Sequence, residues 1–287
     1  MKFAVRSKAA TAAAVLAATL LAGGAVGCSS AKDDKSGKST GQDKSEQSPK
    51  MEPAAAVKQA VVKAEKFTSF SYRLKGEAPG KDGGKVSGEA SMNLKPLTVS
   101  MKMTGGGETF QIRIIGDAMY MGTGKPDPDL DGKSWMKFPM DGMDKGGSPA
   151  EGSPADKNPA SEAGLMEGAE DVKLVGEEKV DGVQTTHYAG TVTLDEMRKS
   201  LKDKSADVRK SREKNLKEYE ELGLDKLTMD LWIDGDGHAK QVRTRGTTDE
   251  GPLDMKMTFF DINKPVKVTA PPAAQVADLS EMLKGEG

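Results

Sequence analysis

Between residues 70 and 121 apolar side chains recur at every second position: Phe70, Tyr72 and Leu74; Val86, Gly88, Ala90 and Met92; Val99, Met101 and Met103; Phe110, Ile112 and Ile114; Met119 and Met121. A period of two marks strands with one buried face. Breaks at Asp82-Gly83-Gly84, Gly105-Gly106-Gly107 and Gly116-Asp117 supply hairpin turns, so this run predicts an antiparallel meander reaching Phe138. Ahead of it, Val57, Val61, Ala64 and Phe67 share one face of a predicted helix from Glu52 to Phe67, with Pro53 in its first turn. Behind it, residues 139–168 lose all periodicity in a Gly-, Pro- and Ser-rich stretch, predicted as a mobile surface loop because it is too long for an ordinary connection.

Alternation returns at Asp171–Lys179 and Val183–Leu194, around a Val180-Asp181-Gly182-Val183 turn. Thr193 and Glu196 have the spacing of a capping box and open a predicted helical stretch to about Leu222. Its apolar stripe of Met197, Leu201, Val208, Leu216 and Tyr219 is thin, which predicts a helix lying across another layer with its charged side in water. Three strands follow, Leu227–Asp234, His238–Gly246 and Leu253–Asn263, then a short helix from Ala273 to Leu283. The simplest architecture for this order is α+β: one antiparallel sheet with helices packed on one face.

The N-terminus reads differently. Lys2, Arg6 and Lys8 precede an alanine-rich apolar run from Ala9 to Val26 that ends on Gly27-Cys28-Ser29-Ser30. A basic start, an apolar stretch and a small residue before cysteine predict a lipoprotein signal peptide, residues 1–27, cut ahead of a lipidated Cys28. Ala25-Val26-Gly27 departs from the usual lipobox, which has leucine three residues before the cysteine. A single-span anchor is the competing reading, but the run is barely long enough to cross a bilayer. Cys28 is the chain's one cysteine among 287 residues, which fits lipidation better than a disulfide. From Ser29 to Lys50 the polar sequence SSAKDDKSGKSTGQDKSEQSPK cannot bury enough surface to offset chain entropy, so 28–50 is predicted as a lipidated, disordered tether and 51–287 as the globular domain. The expected home is the extracytoplasmic face of the cell membrane.

Composition narrows the partners. The chain carries 42 Lys and Arg against 44 Asp and Glu, a net of −2 that becomes −5 without the three cations of the signal, so nucleic acid is not expected. No second cysteine exists to staple the fold, and thiolate chemistry is excluded with it. The two histidines, His187 in a strand and His238 at a turn, stand outside any nucleophile elbow, and no phosphate-binding glycine loop occurs; no enzyme activity, metal or cofactor is predicted. Asp127-Pro128-Asp129-Leu130-Asp131-Gly132 opens like a calcium loop but has Phe138 where a bidentate glutamate belongs, which makes it an acidic turn. Three M-x-M pairs, Met101/Met103, Met119/Met121 and Met255/Met257, offer thioethers of the kind that hold Cu(I), yet neither histidine is next to one.

The phrases WMKFP, VKLVGEEKVDGVQTTHYAGTVTL, LWIDGDGHAKQVRTRG and MKMTFFDINKPVKVTAPP, with the order of elements, resemble actinobacterial lipoproteins of the LppX/LprAFG family, which share a LolA-like fold. The resemblance covers about residues 52–284. It implies a curved half-barrel whose concave face, covered by helices, holds the acyl chains of a lipid or glycolipid. The expected cavity residues are Tyr72, Leu74, Met92, Val99, Met101, Met103, Phe110, Ile112, Ile114, Met119, Met121, Leu227, Met229, Leu231, Met255, Met257 and Phe259. Unbranched methionines suit a surface that repacks around varied apolar shapes, although an ordinary filled core needs the same alternation. Relatives usually carry a leucine-rich helical segment where this chain has the Gly/Pro-rich 139–168, a departure that weighs against a lid from this segment and against tight ligand retention. The competing function is an envelope interaction or sensing lipoprotein acting on a protein partner of unknown identity without bound lipid.

Overall fold

The computed structural model describes residues 51–80, 83–140, 158–202 and 206–278. The signal segment, Cys28, the tether and residues 141–157 of the expected loop lie outside the described residues.

Helix α1 spans Pro53–Ala64, with proline in its first turn, and buries Ala56, Val57, Ala60, Val61 and Ala64 on one face. It stops three residues short of the expected end, yet Phe67 stays buried, edge-on to the ring of His238 at 5.4 Å. The meander follows as β1 (Ser69–Ala78), β2 (Gly84–Leu94), β3 (Leu97–Gly105), β4 (Glu108–Ile115), β5 (Ala118–Gly122) and β6 (Trp135–Pro139). Gly106 and Gly107, with φ of 59° and 84°, close the β3–β4 hairpin in the left-handed conformation that glycine adopts without steric cost. The second half supplies β7 (Lys173–Val180), β8 (Val183–Thr193), β9 (Lys226–Asp234), β10 (Ala239–Thr248) and β11 (Gly251–Phe260). Asp181 and Gly182 turn the β7–β8 hairpin with φ of 48° and 79°.

These strands and a short β12 (Val276–Asp278) join one open, curved sheet, 12-stranded among the described residues, ordered β12-β6-β5-β4-β3-β2-β1-β11-β10-β9-β8-β7. The chain starts in the middle with β1, walks out to β6, and returns from the opposite edge at β7 until β11 pairs antiparallel with β1. Register lines the inner residues up in rungs. One runs Phe110, Met103, Gly88, Leu74, Met257, Val242, Leu231 and Tyr188 across eight strands. The helices cover this inner face, and α1 with both halves of the sheet builds a single apolar core.

Three expectations change. The last part of 139–168 is not loop: α2 (Pro159–Gly164) and a tight turn at Leu165–Gly168 place Ala163 and Met166 in the core. Asn158 explains the start, its Oδ1 accepting from the Ser161 N–H at 2.8 Å, with Pro159 in the first turn. The helical stretch from Thr193 divides into α3 (Leu194–Ser200) and α4 (Ala206–Glu221), with Leu201 buried at the end of α3. At the C-terminal end, Val276–Asp278 is strand β12 instead of helix, parallel to β6. It covers the edge that the meander would otherwise leave open, and residues 279–287 of the expected helix lie outside the described residues.

Candidate functional site

Between the middle of the sheet and the covering helices lies a cavity of about 320 Å³. Tyr72 and Leu74 of β1, Met101 and Met103 of β3, Phe110 of β4, Val242 and Thr244 of β10, and Leu253, Met255 and Met257 of β11 form its sheet side; Glu162 of α2 and Tyr219 of α4 form its cover. The hollow follows from side-chain size along the strands. β1 and β2 contribute Gly76, Gly88 and Ala90 at inward positions, among bulkier neighbours. At Gly88 a Cβ would fall 2.2 Å from Met103 Sδ, and at Gly76 another would fall 2.8 Å from Met255 Sδ, so two thioethers lie over the glycines and floor the space. The deep end is closed by Phe70, Tyr72 and Phe259, whose ring centroids stand 6.3–6.5 Å apart. Phe110 stands at the rim, 42% exposed.

Seven of the expected cavity residues are therefore on its wall: Tyr72, Leu74, Met101, Met103, Phe110, Met255 and Met257. Nine others, Met92, Val99, Ile112, Ile114, Met119, Leu227, Met229, Leu231 and Phe259, are buried in the packed core instead, and Met121 packs against it. They share the alternation of the wall residues but sit on rungs or strands where neighbouring side chains fill the space. Val242, Thr244 and Leu253 are wall residues outside the expected set, although they continue the same two-residue period. Glu162 lies in the stretch expected as loop, four residues beyond the Asn158 cap that starts α2.

The wall is mostly apolar, with polar groups at Tyr72, Thr244, Tyr219 and Glu162. Burial raises the Tyr72 phenol well above its ordinary value, and the nearby Glu162 carboxylate adds to the shift. Tyr72 is thus a neutral hydroxyl at any physiological pH. Beneath α2, Arg212 points away to the Gly164 carbonyl at 3.4 Å and Glu167 at 3.9 Å, its basicity lowered by burial.

The histidines are engaged elsewhere. On the other face of the sheet His187 stacks on Trp232, with centroids 4.3 Å apart, and lies 2.8 Å from Asp230 and 3.1 Å from Glu178. Trp232 Nε1 donates to the same Glu178 oxygen at 2.6 Å, and Arg245 bonds the second Asp230 oxygen at 2.5 Å. This network ties β7 through β10 together. Asp234, Asp236 and His238 gather at the β9–β10 turn, but Asp234 Oδ1 already accepts from the backbone N–H groups of residues 236 and 238 at 3.0 and 2.8 Å, which is what holds the turn. Asp127 likewise accepts from the Asp129 N–H at 3.0 Å in a short helical turn, as expected for an acidic surface turn.

No family model matches the chain. It is 28% identical over 194 residues to an uncharacterised 31.2 kDa protein of Streptomyces griseus encoded between rplA and rplJ, a match covering 66% of this chain and 62% of the relative. Over 187 residues it is 25% identical to a candidate lipoprotein of Streptomyces coelicolor, covering 63% of this chain and 55% of the relative. The chain thus spans less than two thirds of the length of either. Among solved structures it is similar to lipoprotein LppX of Mycobacterium tuberculosis, with 17% identity, a TM-score of 0.47 and coverage of 75% of this chain and 97% of that one. LprF of Mycobacterium bovis matches with 13% identity, a TM-score of 0.48 and coverage of 77% and 97%. By these matches the chain is similar to two Streptomyces proteins, one of them a candidate lipoprotein, and to the mycobacterial lipoproteins LppX and LprF.

Proposed function

We propose that this chain is an exported lipoprotein, held through Cys28 on the extracytoplasmic face of the cell membrane, that takes an acyl chain of a lipid into the cavity under α2 and α4 and performs no catalytic step. The observation that carries the reading is the hollow itself: an apolar space of about 320 Å³ left open within an otherwise filled sheet face. Protein interiors are close-packed with few voids larger than a water molecule, so a hollow of this size supports a binding role. Its volume is at the small end of the roughly 300–1,000 Å³ range of ligand sites, which suits one chain better than several. Binding draws on about 0.8 kcal/mol for each buried methylene, so chain length and shape set most of the affinity. Two further features support a binder over an enzyme: the wall holds no histidine, and His187 is committed to Asp230 and Glu178 on the opposite face.

The test is organic extraction of the purified, exported protein carrying Cys28→Ser, with native mass spectrometry before and after. A discrete lipid adduct that disappears on extraction is expected. A protein that is free of lipid when isolated and takes up none from added envelope lipids overturns the reading. That outcome favours the second function, an envelope interaction protein, which has one observation of its own: the edge strand β7 leaves Leu174 and Val175 39% and 53% exposed.

A further inference from the structure

We infer that the buried hydroxyls of Tyr72 and Thr244 make the cavity selective for a chain whose buried part carries a neutral hydrogen-bond acceptor, an ester or ketone carbonyl, over a bare hydrocarbon of the same size. The inference rests on the cavity reading above and adds to it the chemistry of the part of the ligand that is taken inside.

Tyr72 is 2% exposed and Thr244 6%, and both line the hollow. Among the described residues neither hydroxyl has a hydrogen-bond partner. Other buried hydroxyls show the usual arrangement. Ser69 donates to the Lys264 carbonyl at 2.6 Å, Thr185 to that of Glu178 at 2.7 Å and Thr248 to that of Gly251 at 2.9 Å, while Ser71 and Ser91 share a bond of 2.8 Å. Buried polar groups are normally paired, so two left open on one wall point to a partner that the chain does not itself supply. By register, Tyr72 on β1 and Thr244 on β10 flank the apolar rung of Leu74, Met257 and Val242 from opposite sides. A bare hydrocarbon filling the hollow covers both hydroxyls with apolar groups and leaves their hydrogen bonds unmade, which costs free energy. A carbonyl in the same place accepts one. Tyr72 is suited to give it: burial first, and the Glu162 carboxylate second, keep its phenol protonated and therefore a donor. The Thr244 hydroxyl carries its proton at any pH.

The experiment uses the full chain carrying Cys28→Ser, so that no lipid anchor competes, and measures displacement of the neutral fluorophore N-phenyl-1-naphthylamine by methyl nonanoate, an ester, and hexylbenzene, a hydrocarbon matched to it in heavy-atom count. The two differ in their cost of leaving water, so the decisive quantity is how the ratio of their affinities changes on mutation. The double variant Tyr72→Phe/Thr244→Val keeps both shapes and removes both hydroxyls. Its preference for the ester is expected to fall about three- to tenfold below that of wild type. The carbonyl stretch of the bound, isotope-labelled ester gives a second reading and is expected at lower wavenumber in wild type than in the variant. Either an unchanged ratio or an unchanged band overturns the role of the hydroxyls and leaves the cavity reading intact. A variant that melts well below wild type would mean that the hydroxyls serve the fold instead of a ligand, and also overturns the inference. Failure of both probes to bind wild type overturns the cavity reading and this inference with it.

Discussion

At Gly76 the absence of one carbon atom decides the shape of the inner face. A Cβ there would lie 2.1 Å from the Asp254 carbonyl oxygen and 2.9 Å from the Met255 Cα, both backbone atoms of the paired strand β11 that cannot swing aside. Gly176 on β7 is the opposite case, with nothing within 4 Å of the added atom. Gly76→Ala is therefore expected to cost about 1–3 kcal/mol through forced strand displacement, and Gly176→Ala to stay within about 0.5 kcal/mol of wild type, both read from urea midpoints. Equal effects would mean that strand approach at β1–β11 is not what requires glycine. The same residues show what the sequence could and could not reveal. Alternation placed Leu74, Met101, Met103, Met255 and Met257 on the inner face, but it placed Met92, Val99 and Ile114 there equally. Core and cavity wall differ only in what stands opposite, and that depends on register across strands nearly two hundred residues apart, as in Leu74 facing Met257.

The start of α3 carries its own chemistry and is legible in the sequence, whereas β12, made by pairing with a distant edge, is not. The start of α3 is a full capping box: Glu196 N–H donates to Thr193 Oγ1 at 3.2 Å, and the Glu196 carboxylate accepts from the Thr193 N–H and hydroxyl at 2.7 Å. Those bonds, the backbone one first, hold the Glu196 carboxyl below its ordinary value of about 4.5. A carboxylate with a lowered folded pKa adds stability that is complete above the unfolded value and fades as pH falls through the folded one. Glu196→Gln keeps an acceptor but removes the charge from the first turn, so it is expected to cost about 0.3–1 kcal/mol at pH 7. The gap to wild type should close as the pH is lowered beneath about 4.5, measured by urea unfolding at stepped pH. A gap that persists undiminished in acid would mean the carboxylate charge contributes nothing. By contrast the sequence predicts helix at β12, because Val276-Ala277-Asp278 shows no alternation long enough to register and its strand character comes from the edge of β6, residues Trp135–Lys137, which it meets in space. For α2 the signal was present, in Asn158 capping Ser161 behind Pro159, but the surrounding Gly/Pro-rich composition outweighed it.

For the whole molecule, an open hollow near the middle of a 12-stranded sheet forgoes apolar burial in the place where both halves of the chain meet, since β1 starts the meander and β11 pairs back onto it. Filling that space joins the halves in two distinguishable ways. A ligand that binds only the folded protein stabilises it by mass action, by about 2.7 kcal/mol at a hundred times its Kd. For a domain of this size that corresponds to a rise in Tm of roughly 5–10 °C. A side chain can occupy the same volume permanently: Leu74 sits on the wall between the small Gly88 and Met257, and Leu74→Trp directs a larger apolar group into the hollow. The variant is expected to fold with a Tm no lower than that of wild type without ligand and to show no further rise with dodecanol. Ile112→Trp provides the contrast, because Ile112 belongs to the filled core and a larger residue there overpacks it, lowering Tm while the dodecanol response survives. Differential scanning fluorimetry of the three proteins with and without the alcohol separates these cases. If Leu74→Trp keeps the full ligand shift, the chain binds outside the cavity. If wild type shows no shift while binding is measurable by displacement, the probe associates with folded and unfolded chains alike, and the hollow is not its site.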